Sequence, residues 1–146
     1  MNQSIRFFET RIGRIAVVAG ISIVLLPAML SAKTFKMKAA LIVPAASGEV
    51  KTGKDNNGNT VFVVEVKNLA KPSALTPPKT TYVVWIRPKG GTPESQGVVK
   101  VNDKLEGRFQ SSTQANDFEL WITAENDEMA KSPGRAEVLR ANNVTR

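Results

Sequence analysis

The chain has 146 residues, 42% of them apolar, no cysteine, no histidine and a formal charge of +7. The missing cysteine excludes disulfides, thiolate metal sites, a cysteine nucleophile and a lipid-modified cysteine; the missing histidine removes the commonest general base and transition-metal ligand. Lys and Arg never occur in a run longer than one residue, which argues against a nucleic-acid footprint, where charge clusters and aromatics interleave.

Residues 1–14 hold Arg6, Arg11 and Arg14 against Glu9, and Ile15 to Leu30 carries no charge. A basic stretch before an apolar one is the pattern of a secretion signal. Sixteen residues would span only about 24 Å as a helix, short of the roughly 30 Å hydrocarbon core of a bilayer. Pro27 would weaken its last turn. Ser31 and Ala32 offer a cleavage point before Lys33, although Leu30 is large for the third position back. The expected division is therefore a signal peptide over 1–32 and a single exported domain over 33–146. Uncleaved, the same segment predicts an N-in inner-membrane anchor, the arginines holding the N-terminus inside; this is the only membrane contact expected. Either way the domain is placed in the periplasm, at the cell surface or in the medium. Its formal charge is +5, because the first 32 residues hold three arginines and one glutamate.

From Lys36 onward the apolar pattern has period two between turn residues, which predicts strands. Met37, Ala39, Leu41 and Val43 form a first strand that Pro44 ends. A second covers Gly48 to Gly53, a polar turn at 55–58 carries Asn57-Gly58, and Thr60 to Val66 returns with Phe62, Val64 and Val66 on one face. Residues 68–80 contain Pro72, Pro77 and Pro78 and read as a crossover loop. The strongest strand is Thr80 to Arg87, with Tyr82, Val84 and Ile86 opposite Thr81, Val83, Trp85 and Arg87. Gly97 to Val101 and Leu105 to Gln110 follow. Phe118 to Ala124 alternates Phe118, Leu120 and Ile122 against Glu119, Trp121 and Thr123, and the last strand lies near Ala136 to Ala141. Seven or eight short antiparallel strands predict an all-β, immunoglobulin-like sandwich, preceded by the N-terminal signal or anchor helix.

The run Thr81-Tyr82-Val83-Val84-Trp85-Ile86, then Gly90-Gly91 and Ser95-Gln96-Gly97-Val98-Val99, resembles the extracytoplasmic domain of anti-sigma-K-type factors. The likeness continues through Phe118-Glu119-Leu120-Trp121-Ile122-Thr123-Ala124-Glu125 to Ser132-Pro133-Gly134 and Val138-Leu139, about 65 residues in all. It implies a sensor-type β-sandwich outside the cytoplasmic membrane. Only 14 residues precede the apolar segment here, so the expectation is a free-standing exported module without a sigma-binding part.

No catalytic constellation emerges. With no histidine and no Gly-x-Ser-x-Gly elbow, serine hydrolysis lacks its base. Glu65, Glu119 and Glu125 could serve glycoside hydrolysis only as a spaced pair across a cleft, and nothing pairs them. Glu125, Asp127 and Glu128 lack the glycine spacing of a calcium loop. Because the resemblance implies a bacterial source, Asn143-Val144-Thr145 is read as a chance match to the glycosylation sequon. No cofactor and no metal is expected, and the chain reads as a binding module rather than an enzyme. Trp85, Arg87, Glu119 and Trp121 are the candidate binding face: an exposed aromatic platform for a protein or a sugar, or else a tryptophan pair that packs against Thr81, Val83 and Thr123, or beneath the proline-rich loop, and completes the core. The expected partner is an envelope or extracellular protein or a second copy, with a glycan or small molecule as the alternative.

Overall fold

In the computed structural model, which describes residues 32–146, backbone pairing runs unbroken through eight strands: β1 Lys33–Ala39, β2 Ser47–Lys54, β3 Thr60–Lys67, β4 Thr81–Pro88, β5 Glu94–Val98, β6 Gly107–Thr113, β7 Asp117–Glu125 and β8 Glu137–Thr145. The expected signal or anchor segment lies outside the described residues, save for Ala32. All neighbours are antiparallel, in the order β5-β4-β7-β8-β1-β2-β3-β6. β1 makes the sheet continuous: Lys33 to Met37 pair with β2, and Lys38 and Ala39 pair with β8. The sheet curls until its edges meet. Ser111 on β6 donates a hydrogen bond to Gln96 on β5 at 3.2 Å, and the Phe109 ring lies against Gly97, so the architecture is all-β and close to a closed barrel.

The pleat explains the core. Phe62, Val64 and Val66 on β3, Tyr82, Val84 and Ile86 on β4, and Leu120 and Ile122 on β7 all point inward and are buried. Phe62 packs against Phe118 at 5.5 Å between ring centroids, within the range where aromatic pairs attract beyond their buried area. The proline-rich segment is a loop, as its composition predicts, with one 3₁₀ turn at Pro72–Ala74. Leu69 and Leu75 plug it into the core, and Ala70 offers its carbonyl to the Tyr82 hydroxyl at 2.7 Å. Burial pushes the Tyr82 phenol up to about 12.

Several boundaries differ from the sequence expectation, each for a physical reason. β1 begins earlier and ends at Ala39, because Ala40 donates to the Val138 carbonyl and the chain then turns. Leu41 and Ile42, expected within the strand, are 95% and 51% exposed in that turn. The return strands are Glu94–Val98 and Gly107–Thr113, rather than 97–101 and 105–110. A bulge sits in β5, where Val84 pairs with Gly97 but Trp85 pairs with Ser95, and Gly97 takes a φ of 136° that only glycine adopts without strain. β8 runs on to Thr145 through two bulges, each giving β8 one more residue than β7. One turns both Val138 and Leu139 into the core; at the other Asn143 adopts φ 55°. The hairpin turn at 55–58 is held by the Asp55 carboxylate, which accepts from the amides of Asn57 and Asn59 and the Asn59 side chain at 2.8–2.9 Å. These bonds, led by that to the Asn59 side chain, hold its pKa below the usual aspartate range.

Phe62→Ala is expected to cost about 3–5 kcal/mol in a urea titration, the range for deleting a core aromatic. Val61→Ala, on the outward side of the same strand, should stay within about 1 kcal/mol. Because the folded phenol of Tyr82 titrates above its ordinary value of 10.0, the unfolded chain loses its proton first as pH rises. Stability is therefore expected to fall between pH 10 and about 12, and Tyr82→Phe should lose that component of the alkaline transition.

Candidate functional site

β4 and β7 form an unshifted antiparallel ladder from Thr81↔Glu125 to Pro88↔Phe118. Trp85 therefore stands directly opposite Trp121, and Arg87 directly opposite Glu119. The four residues singled out in the sequence are brought together on one outward face. The tryptophans, however, are 0% and 4% exposed. With Val83 they form a second apolar cluster, on the face away from the main core, against which Ala130 packs. Of the two expected readings, packing against Val83 and Thr123 is the one found; the cover, however, comes from the chain between β7 and β8 and not from the proline-rich crossover.

A polar chain fastens that cover. The Trp85 indole N–H donates to the Thr123 hydroxyl at 2.8 Å, and Thr123 in turn donates to Glu125 Oε1 at 2.5 Å. The same carboxylate oxygen accepts the amide of Gly134 at 2.7 Å. A Cβ at position 134 would stand 2.7 Å from Glu125 Oε2, so glycine allows this close approach. Every polar group in the relay has a partner, as buried donors require.

Beyond the tryptophans the face is charged. Arg140 of β8 pairs with Trp121 in register and holds its guanidinium 4.7 Å from the centre of the indole, within cation–π range. It also donates to Glu137 and to Glu119, the latter at 3.1 Å. Arg87 reaches the same Glu119 oxygen at 2.6 Å, leaving Glu119 between two guanidiniums. Hydrogen bonding to Glu137 raises the Arg140 pKa further. These pairs are solvent-accessible, and each contributes roughly 0–1 kcal/mol.

At the end of this face a cleft of about 550 Å³ opens between the β4–β5 turn, β7 and the β8 bulge. Arg87, Gly90, Asp117, Glu119 and Asn143 line it, offering donors and acceptors of both charges to a small polar group. Arg140 and the cleft were not legible in the sequence; Thr123 was, from its place on the Trp121 side of β7. Arg140 enters through a bulged register, and the cleft joins residues more than fifty positions apart.

Three of the other carboxylates singled out in the sequence are engaged elsewhere. Glu125 serves the relay, and Asp127 accepts the Met129 amide at 2.8 Å. Glu65 lies on β3, in the other half of the sheet from Glu119, bonded to Lys51. Among the described residues no group of three or more His, Cys, Asp or Glu could hold a metal ion, and no helix is long and apolar enough to cross a membrane. No protein-family model and no curated protein matches the chain.

Thr123→Val should cost about 1–3 kcal/mol by leaving the buried Trp85 N–H without an acceptor. Tryptophan emission of the native protein should be blue-shifted and poorly quenched by acrylamide, and Thr123→Val should increase the quenching. Emission typical of solvated indole in the native protein would contradict the closed cover.

Proposed function

We propose that residues 33–146 are an exported, non-enzymatic binding module of the bacterial envelope that acts by contact with another protein or with a second copy of itself. The observation that carries this reading is the seam between β5 and β6. These strands end the sheet order, and they meet through side chains, the Gln96–Ser111 hydrogen bond and the Phe109–Gly97 contact. An edge strand presents backbone donors and acceptors to an incoming segment, and strand addition is a general way for β domains to take up partners. Opening this seam sacrifices the Phe109–Gly97 contact and one part-buried side-chain hydrogen bond, the latter worth about 1 kcal/mol, and each added ladder bond offsets them.

The likeness to the extracytoplasmic domain of anti-sigma-K-type factors belongs to this proposal. Its support is that the stretches carrying it lie in β4, β5, β7 and β8, neighbours in one half of the sheet. That half, with β1-β2-β3-β6 as the other layer, is read as an immunoglobulin-like sandwich whose layers β1 joins. Export rests on the basic and apolar stretches of residues 1–32. Mass spectrometry of the protein from the producing cell tests it: a chain beginning at Lys33 marks a cleaved signal, one beginning at Met1 or Asn2 the inner-membrane anchor.

The second reading is a carbohydrate or small molecule bound beside the Trp85/Trp121 face. The cleft at Arg87 and Glu119 favours it, with the covered tryptophans as its rigid backing rather than its stacking surface. A glycan panel that leaves tryptophan emission unchanged would sink it.

The protein has no native cysteine, so Gln96→Cys/Ser111→Cys places one clean bridge across the seam. Closing this 15-residue separation should stabilise the fold by roughly 3 kcal/mol. Self-association by light scattering, or partner recovery from an envelope fraction, should be lost in the oxidised form and return on reduction. Unchanged association in the oxidised form would refute uptake at the seam.

A further inference from the structure

A second surface, unconnected with the tryptophan face, lies on the outward side of β1, β2, β3 and β6. Register aligns Lys36, Glu49, Glu65 and Arg108 in one row across all four strands. Three inter-strand spacings of about 4.8 Å make that row roughly 14 Å long. Lys51, from the adjacent row, bonds to both glutamates, at 2.8 Å to Glu49 and 2.7 Å to Glu65. These bonds raise the Lys51 pKa and lower that of Glu65. Lys51 thereby occupies both carboxylates, and Arg108 stands 3.6 Å from the other oxygen of Glu65. Among the described residues Lys36, Lys67 and Lys100 have no carboxylate within ion-pair distance, and all three are exposed.

These lysines line two adjoining depressions of about 340 and 520 Å³ that share Glu65 and Lys67 in their linings, and the two together are called the groove. Its lining is not purely cationic. Ser47, Asn102 and Glu106 sit among the lysines. A ligand rich only in anionic acceptors would meet carboxylates it cannot bond. A polymer that carries hydroxyl donors between spaced negative charges satisfies both sets. The opposite outward face has another character: it is covered by the β7–β8 loop, which carries Asp127 and Glu128.

We propose that this groove binds a carboxylated polysaccharide, with Lys36, Lys67 and Lys100 holding its carboxylates and Ser47, Asn102 and the free acceptors of Glu106 holding its hydroxyls. The ligand class rests on the exported location proposed above, where such polymers are met. The geometry of the groove is independent of the seam.

The test is titration calorimetry of the purified protein with polygalacturonate at several salt concentrations, with neutral dextran, polyphosphate and phosphatidylglycerol vesicles as comparison probes. Polygalacturonate should bind, dextran should not, and affinity should fall with salt. The triple variant Lys36→Gln/Lys67→Gln/Lys100→Gln should weaken binding at least about tenfold and flatten the slope of log K against log salt by about two units, at roughly 0.7 per lost contact with a single chain. Lys54→Gln/Lys131→Gln/Arg135→Gln removes the same charge away from the groove and should stay within about twofold. Equal losses in both triples would reduce the effect to net charge and overturn the site. So would absence of polygalacturonate binding, or tighter binding of polyphosphate or vesicles. The oxidised Gln96→Cys/Ser111→Cys protein should bind polygalacturonate unchanged, so failure of the seam and failure of the groove are read separately.

Discussion

The ladder between β4 and β7 is the constraint on which the remaining structure depends. Eight consecutive residue pairs run from Thr81↔Glu125 to Pro88↔Phe118 without a bulge, and every residue of β4 from Thr81 to Ile86 is buried. A strand covered on both sides needs two different apolar environments, and the pleat distributes them: Tyr82, Val84 and Ile86 to the main core, Val83 and Trp85 to the second cluster. A slip of β4 by one residue would exchange the two sets and turn Arg87 inward, away from Glu119, at the cost of an unpaired buried charge. The same register sets Trp85 against Trp121 and aims Trp85 at Thr123. The covering loop is thus a consequence of the ladder. It shields an aromatic pair that the strand cannot bury by itself.

Curling the sheet solves one problem and leaves another. By pairing with β2 along its first half and β8 along its second, β1 lets eight strands enclose one core without an α-helix among the described residues. The bulges in β5 and β8 add the local twist that such curvature needs. The price is a pair of edges, β5 and β6, brought together but joined through side chains. Natural sheets protect their edges with charge, bulges or short strands, and β5 has all three: Glu94, the bulge at Gln96 and a length of five residues. These devices discourage indiscriminate pairing while leaving a place where a matching strand can enter.

Charge is arranged differently on the two outward faces. Around the tryptophans, acids and bases interlock, Glu119 between Arg87 and Arg140 and Glu137 on the far side of Arg140, so the face is neutralised internally. On the β1-β2-β3-β6 face Lys51 occupies two glutamates, Arg108 shares one of them, and Lys36, Lys67 and Lys100 remain uncommitted. Exposed pairs of either kind add little to stability. Their consequence lies in which charges remain for something outside the molecule.

Much of the fold was legible in the residues. Period-two alternation in Thr60 to Val66, Thr81 to Arg87 and Phe118 to Ala124 determined three strands and their inward faces, because a pleat sends successive side chains to opposite sides whatever surrounds it. Pro72, Pro77 and Pro78 determined a loop, since proline cannot donate to a ladder, and the turn at 55–58 followed from Asp55 and Gly58. Even the grouping of Trp85, Arg87, Glu119 and Trp121 could be read from the parity of two strands. Tertiary structure alone decided what these residues meet. Leu41 alternates as well as Met37 does, yet it is exposed, because β1 ends where β8 ceases to offer it a partner. The tryptophans are closed over by Ala130 and a relay through Thr123, Glu125 and Gly134. The alignment of Lys36 with Arg108 exists only once four strands lie in register. Sequence carries the periodicity of each strand; which strand lies beside it, and what covers its outer face, depends on contacts between residues far apart in the chain.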